Sequence, residues 1–415
     1  MTQQLDRSAK GLAKNSGFVL VAELVVQGTR AVTIFALAGI FTAEEFGTYA
    51  ALLALTTLLA PLSQWGMSHV GVRAVARGTP FSDVWAKVTT TILFGGMAGT
   101  ALGVGIAWIL YDVRLWIVVA FGIAQLVGFG VAQAATTLSE AQHRSDIGLR
   151  INLSGGVIRL LLVGSFALFG SSQLSQWAIF LLVGMLGWAG ASALQVASAL
   201  GGSHRVSIPN REDIRLGISF VFVQTSNSGM NDTDKVVLEA NGLTIDTANY
   251  SPGYRIAEMS TVPMLAIVRA TYAEFFRRGQ STVREAMEFS KRLTIITTAY
   301  GAIAGLGLFL LAPLVTIVID ESKLTEVVDV VRWLAFVPIV KGLQYFPGNA
   351  LTGSDNHNVR SILIFGTAIA NLIGNLIFTP EYGWRAAAIT TAASETLFVV
   401  LLWGAVITLA RREDG

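Results

Sequence analysis

Long apolar segments follow one another along the chain, separated by short polar loops. Each segment contains about 20 or more mostly apolar residues, enough for a helix to cross a hydrocarbon core roughly 30 Å thick. The pattern therefore predicts an all-α integral membrane protein whose function lies inside the membrane. We place the twelve spans at residues 16–40, 47–70, 88–110, 115–139, 151–170, 174–200, 214–238, 248–276, 293–319, 327–350, 360–379 and 384–409.

Positively charged residues fall in every second loop. Taking the loops alternately from the N-terminus, one set holds 19 Lys and Arg residues and the opposite set holds three, Arg114, Lys323 and Arg385. Cytoplasmic loops carry the positive excess in membrane proteins. The distribution therefore predicts an even number of spans, with both termini in the cytoplasm.

The composition agrees with a polytopic membrane protein. The chain is 53% hydrophobic and only 13% charged, about half the charged fraction of a typical soluble domain. It has no cysteine, which excludes disulfides and thiolate metal sites. A net charge of +2 does not indicate a nucleic-acid partner. The polar N-terminal residues and the lack of a small-residue cleavage pattern predict that no signal peptide is removed.

The chain divides into two similar halves at its most charged central loop. A shift of 201 residues aligns Tyr49 with Tyr250 and Arg77 with Arg278, each within a matching hydropathy pattern. Six spans in each half give both halves the same orientation, as in transporters with parallel repeats. We therefore predict two pseudo-symmetric six-helix lobes, at residues 1–205 and 206–415.

Several spans contain ionisable and amide side chains. A charged group at the centre of a membrane helix costs about 2.5–3.5 kcal/mol, so its presence needs a reason. In the first and seventh spans the polar residues recur at helical spacing and share one face. Glu23–Arg30 and Arg255–Glu258 could instead be structural ion pairs, and Asp234 could reach towards water at the end of its span. The candidate substrate-binding residues are Glu23, Gln27, Arg30, Gln224, Asn227, Asn231, Asp234, Tyr254, Arg255, Glu258 and Lys341.

Other recurring motifs indicate packing. Gly95, Gly99 and Gly103 repeat every fourth residue, as do Gly301 and Gly305, and such stripes allow close helix contact. The sequence shows no phosphate-binding lysine loop, zinc-protease motif or serine-hydrolase motif. We therefore predict a protein that is not an enzyme and needs no cofactor, with coupling to a proton or sodium gradient as an open possibility.

Several short motifs resemble those of a known transporter family. They are the polar start Lys14–Gly17, the turn Glu45–Tyr49, and the closing Gly66, Arg73, Arg77 and Gly78 of the second span. In the second half, Asp234-Lys235 is followed by Ala248–Tyr250 and Tyr254-Arg255. The chain thus resembles O-antigen and exopolysaccharide flippases. These belong to the multidrug, oligosaccharidyl-lipid and polysaccharide exporter (MOP) superfamily, which also contains the MATE transporters.

The resemblance implies a fold, a substrate and a set of partners. It implies a MATE-like pair of six-helix lobes, with the first, second, seventh and eighth helices lining a central cavity. The substrate would be a polyprenyl-pyrophosphate-linked oligosaccharide, flipped across the cytoplasmic membrane with a polymerase and glycosyltransferases as partners. Arg30, Arg255 and Lys341 would then contact the pyrophosphate, and Tyr254 would stack on sugars.

Three other functions stay open at the level of the sequence. A cation-coupled multidrug or metabolite exporter of the same superfamily would favour acidic cavity residues, and the spans contain both signs of charge. A twelve-span facilitator-type transporter would carry Asp-Arg and Gly-Arg-Arg motifs, which the loop between Gly71 and Lys87 lacks. A membrane-embedded polymerase or ligase would normally have a large outer loop, and the outer loops are short.

Overall fold

A computed structural model describes residues 25–203, 205–317, 319 and 322–413 of the chain. These residues are almost entirely helical and contain no strand, which confirms the all-α prediction for this part of the chain. Two compact units divide the chain, unit 1 at residues 1–225 and unit 2 at 226–415. The boundary between them falls inside a helix, whereas the proposed repeat boundary lies at 205/206 and stays a prediction.

Unit 1 contains the helices of the first six predicted spans and the beginning of the seventh. The helices are α1 Val25–Ile40, α2 Ala43–Gln64, α3 Met67–Ala76, α4 Phe81–Leu110, α5 Leu115–Gly122, a π-helical segment Ile123–Phe129, α6 Gly130–Ala141, α7 Ser145–Phe169, α8 Leu174–Leu200 and the start of α9 Arg211–Ala240. The chain from α5 to α6 is continuous and forms one span, with the π-helical turn at its centre.

Unit 2 contains the remaining spans. After the rest of α9 come α10 Thr244–Met259, α11 Val262–Gly279, α12 Val283–Leu311, a 3-10 segment Ala312–Ile317, α13 Val327–Trp333, a 3-10 segment Leu334–Phe336, α14 Val337–Gly353 and α15 His357–Glu413. Gly383, with φ +59°, interrupts α15 and separates the eleventh predicted span from the twelfth.

Several predicted spans are broken into two helical pieces. The second span breaks between α2 and α3, where Trp65 and Gly66 both have left-handed backbone angles (φ +50° and +63°). A Cβ on Gly66 would lie 2.5 Å from the Gly217 carbonyl oxygen, so both the backbone angle and the close approach require glycine. The eighth span similarly breaks at Ser260 and Thr261, between α10 and α11.

Seven helical stretches of the described residues are long and apolar enough to cross a membrane by length and composition. Many large hydrophobic side chains on these helices are exposed, as lipid-facing side chains are; Phe94, Trp108 and Ile109 in α4 are 65%, 74% and 75% exposed. The chain is therefore a multi-pass membrane protein, in agreement with the hydropathy pattern.

The glycine stripes mark close helix contacts within each unit. In unit 1, a Cβ on Gly95 would lie 1.9 Å from the Ser63 carbonyl oxygen, so α2 and α4 touch backbone to backbone. In unit 2, a Cβ on Gly301 would lie 2.5 Å from the Pro338 carbonyl oxygen, which brings α12 against α14. Small residues thus allow the close packing that the sequence pattern predicts.

We expect Gly95→Ala to destabilise the protein, because the added methyl group overlaps the α2 backbone. Overpacking of this kind typically costs about 1–3 kcal/mol. Gly105→Ala in the same helix is the matched control, since nothing lies within 4 Å of its Cβ position. Thermal unfolding in detergent should show a lower midpoint for Gly95→Ala alone. Equal midpoints would show that α2 and α4 are not packed this closely.

Candidate functional site

A group of buried and half-buried charged residues lies where α9, α10, α14 and α15 meet within unit 2. We call it the central charge cluster. It consists of Asp232, Asp234, Lys235, Arg255, Glu258, Lys341 and Glu395. Glu258 interacts electrostatically with Arg255, Lys235 and Lys341, which links the separate ion pairs into one network.

The α9 part of the cluster places two carboxylates on one ammonium group. The Lys235 Nζ atom lies 3.1 Å from Asp232 Oδ1 and 3.3 Å from Asp234 Oδ1. Lys235 also donates a hydrogen bond to the Asn231 carbonyl oxygen, one helical turn earlier. The Asp234 side chain is only 1% exposed, so its charge is carried in a low-dielectric environment.

The α10 part supplies aromatic rings and a second ion pair. Tyr250 and Tyr254, four residues apart on one helix face, stack with their centroids 5.9 Å apart. The Tyr254 hydroxyl donates to Asn231 Oδ1 at 3.0 Å, and its ring lies 4.1 Å from Lys235 Nζ. Arg255 pairs with Glu258 one turn further along the helix.

The third ion pair joins α14 to the second half of α15. The Lys341 Nζ atom donates to Glu395 Oε1 at 2.6 Å. The side chain of Glu395 is 3% exposed and that of Lys341 is 17% exposed, so the carboxylate lies deeper than the ammonium. Oε2 of Glu395 has no hydrogen-bond partner among the described residues.

The cluster contains more acid than base. Its four carboxylates, Asp232, Asp234, Glu258 and Glu395, face three cations, Lys235, Arg255 and Lys341. With all seven groups ionised, the cluster therefore carries one net negative charge. The excess lies at α9, because the other two ion pairs are each matched one to one.

The remaining candidate residues are not members of this cluster. Glu23 lies outside the described residues. Gln27 is half-buried on α1. Gln224 belongs to unit 1, where its side-chain amide lies 3.2 Å from the His69 ring. Asn227 is half-buried on α9 and belongs to unit 2. The expectation that these residues share one cavity stays a prediction.

Arg30 belongs to a second group of charged residues, within unit 1. Its guanidinium carbon lies 5.0 Å from the centre of the Phe129 ring, and that of Arg159 lies 6.0 Å from the same ring. Phe129 ends the π-helical segment in the middle of its span. Such π-helical turns are often found at functional sites.

Sequence reasoning missed Glu395 and a buried polar string beside it. Asn371 donates to Ser394 Oγ at 2.9 Å, and Asn375 donates to Asn371 Oδ1 at 3.2 Å. Thr379 donates in turn to Asn375 Oδ1 at 3.2 Å. The sequence does contain a signal for both features. Glu395 is the single acidic residue between Arg385 and Arg411, and Asn371, Asn375 and Thr379 are spaced four residues apart.

Solved structures show what kind of fold this is. The chain is similar to a multidrug-resistance MATE transporter of the MOP superfamily in an inward-facing conformation, with 15% identity, a TM-score of 0.74, and coverage of 92% of this chain and 95% of that one. It is also similar to an outward-facing MATE transporter, with 17% identity, a TM-score of 0.61, and coverage of 95% and 96%.

A third similar structure is an archaeal MOP transporter from Pyrococcus furiosus, described as having a binding pocket of reversed polarity that suggests a different function. It is 14% identical, with a TM-score of 0.54 and coverage of 95% of this chain and 96% of that one. No protein-family model matches the chain, and no curated protein matches it closely. These likenesses confirm the predicted MATE-like, all-α fold, whereas the flippase subfamily gains no support from these neighbours.

We expect Lys341→Met to destabilise the protein, because it leaves the Glu395 carboxylate buried without its partner. Breaking a buried ion pair from one side typically costs about 3–5 kcal/mol. The double variant Lys341→Met with Glu395→Gln should recover much of the loss, since no unpaired charge is left. Thermal unfolding of the single and double variants measures the coupling. A double variant no more stable than Lys341→Met would show that the pair is not buried as described.

Proposed function

We propose that this chain is a secondary active exporter in the cytoplasmic membrane that exchanges a proton for a cationic, partly aromatic solute. The observation that carries the proposal is the one excess carboxylate of the central charge cluster. The fold supports it, because multidrug transporters share this fold over nearly the whole chain. The proposal departs from the flippase that the sequence motifs favoured.

The excess charge provides a physical basis for exchange. An unneutralised carboxylate in a low-dielectric interior is unfavourable by several kcal/mol, so Asp232 and Asp234, which share the single ammonium of Lys235, favour the binding of one further positive charge. A proton can supply it, and so can the cationic group of a solute. Only one of the two is needed at a time, so the binding of each favours the release of the other. Exposure of the cluster to the two sides of the membrane in turn would convert this competition into antiport.

The position of Lys235 favours a proton over a metal ion. Its ammonium nitrogen lies within 3.3 Å of an oxygen of each carboxylate, so a metal ion, which needs several oxygen ligands in direct contact, would have to share these oxygens with the ammonium, whereas an organic cation can act from beside the pair. A proton shared by the carboxylate pair needs no such ligands, because it forms a neutral acid.

The aromatic residues support a cationic solute. Lys235 already places its ammonium 4.1 Å from the centre of the Tyr254 ring, which shows that this ring can hold a cation. Aromatic faces bind organic cations through the ring quadrupole, with about 2 kcal/mol or more where water is excluded. Such a solute would bind beside Asp234 and Tyr254.

We expect Asp234→Asn to abolish proton-driven export, because it removes the excess charge without changing the size of the side chain. In vesicles reconstituted with the purified protein, uptake of a cationic dye driven by a pH gradient should fall at least about tenfold, the equivalent of 1.4 kcal/mol. Asp329→Asn is the matched control, since that aspartate is 57% exposed and lies outside the cluster. A sodium gradient imposed in place of the pH gradient tests the competing ion.

Two results would contradict this proposal. One is pH-driven transport by Asp234→Asn at the wild-type rate, which would place the coupling group elsewhere. The other is transport driven by sodium and indifferent to pH, which would exclude the proton. The amounts of folded Asp234→Asn and Asp329→Asn protein must match for either comparison.

The second candidate is the lipid-linked oligosaccharide flippase, and the pair of arginines around Phe129 favours it. Two guanidinium groups, both of which also interact with other groups of the chain, converge on one ring inside the membrane. Guanidinium forks suit the oxygens of a pyrophosphate. A polymerase and glycosyltransferases would be functional partners in this case.

The flippase function makes a different prediction. If Arg30 and Arg159 bind a pyrophosphate, Arg30→Gln or Arg159→Gln should slow the flipping of a fluorescent polyprenyl-pyrophosphate lipid in reconstituted vesicles at least about tenfold. Arg114→Gln, at an exposed arginine in an outer loop, is the control. Absence of flipping by the wild-type protein, together with proton-driven dye export, would exclude this second function.

A further inference from the structure

Arg360 differs from other basic residues at the cytoplasmic end of unit 2. Arg277 and Arg278 both pair with Glu274, and Lys291 pairs with Glu288. Arg360 is half-buried at the start of α15, and its contacts with the described residues include no carboxylate. A partly desolvated charge that no described carboxylate neutralises is costly, so its site favours the binding of an anion.

The surroundings of Arg360 hold its guanidinium in one place. Arg360 Nη1 donates to Thr352 Oγ1 on α14 at 3.0 Å. Gly348, one turn earlier on α14, leaves the space that the guanidinium fills, since a Cβ there would lie 3.3 Å from Arg360 Nε. Tyr272 of α11 is the other titratable group that interacts with it. The contacts with α14 therefore orient the guanidinium, and they do not use its Nη2 atom.

The position of Arg360 along its helix sets the depth of the site. Arg360 comes directly before the apolar run from Ser361 to Phe378, so it lies at the cytoplasmic membrane–water interface. Tyr272, 42% exposed, is typical of the aromatic residues found at this level. The headgroup phosphates of the inner leaflet lie at the same depth.

We propose that Arg360 binds a phosphate group at the cytoplasmic interface, between α11, α14 and α15. The guanidinium forms charge-assisted hydrogen bonds to two phosphate oxygens, while Thr352 keeps the fork in position. The phosphate belongs either to the headgroup of an anionic lipid or to a soluble phosphate compound. This site is separate from the central charge cluster and does not depend on the transported solute.

Binding to the delipidated, purified protein tests the proposal, with thermal unfolding as the readout. The probes are short-chain phosphatidylglycerol, a diacylglycerol with the same chains but no phosphate, and inorganic phosphate. Phosphatidylglycerol should raise the unfolding midpoint and diacylglycerol should not. Arg360→Met should weaken the apparent affinity at least about tenfold, and Arg360→Lys should weaken it less, because the charge stays but the bidentate fork is lost.

Arg292→Met is the matched control, since that arginine is exposed at the cytoplasmic end of unit 2. The Arg292→Met protein should bind phosphatidylglycerol with an affinity near that of the wild type. Should Arg360→Met fail to fold, Thr352→Val, which removes the orienting hydroxyl group alone, should still weaken binding. Stabilisation by phosphatidylglycerol alone identifies a lipid headgroup, and stabilisation by inorganic phosphate as well identifies a soluble phosphate site. The proposal would be overturned if neither phosphatidylglycerol nor inorganic phosphate stabilised the wild type, or if the stabilisation were equal in wild type, Arg360→Met and Thr352→Val.

Discussion

Charge neutrality in a low-dielectric interior is the constraint on which the account of this protein depends. The central charge cluster places seven charged side chains among the helices of unit 2, and each of them has a group of opposite sign beside it. The pairing is complete at α10 and between α14 and α15. At α9 it is not, because one ammonium serves two carboxylates. Such a cluster is more stable when either a proton or an organic cation is bound than when neither is bound. This competition for one site is what an exchanger needs.

Close helix packing is the second requirement, and the glycines provide it. In unit 2, α14 carries Lys341 and is also the helix that α12 approaches at Gly301. Thr297 of α12 donates to the Gly342 carbonyl oxygen at 3.0 Å, next to the lysine. The helix that presents a cluster cation is therefore fixed by backbone contacts with α12. This rigidity keeps the ammonium of Lys341 at its hydrogen-bond distance from Glu395.

Hydropathy and loop charge were sufficient to predict the helices, because the cost of exposing backbone polar groups to lipid leaves few alternatives. The same reasoning found Asp234, Arg255 and Lys341, since any ionisable residue inside a span is conspicuous. The sequence could not predict that Lys341 pairs with Glu395, because the two residues are 54 positions apart and meet only through tertiary packing.

Local sequence also could not place the helix breaks. The break after Gln64 arises where the backbone turns left-handed and comes close to Gly217, far along the chain. Function was predicted less well than fold, because short motifs suggested a flippase while the charge balance that favours an exporter depends on how four helices meet.

Proton release on solute binding tests the central claim most directly. The purified wild-type protein is titrated with a cationic dye by calorimetry in buffers of different ionisation enthalpy, at a pH where the excess carboxylate is protonated. The account predicts that about one proton leaves the protein for each dye bound, and that none leaves Asp234→Asn. Dye binding without proton release in the wild type, or with the same release in Asp234→Asn, would contradict the claim that a proton and a cationic solute compete for one carboxylate.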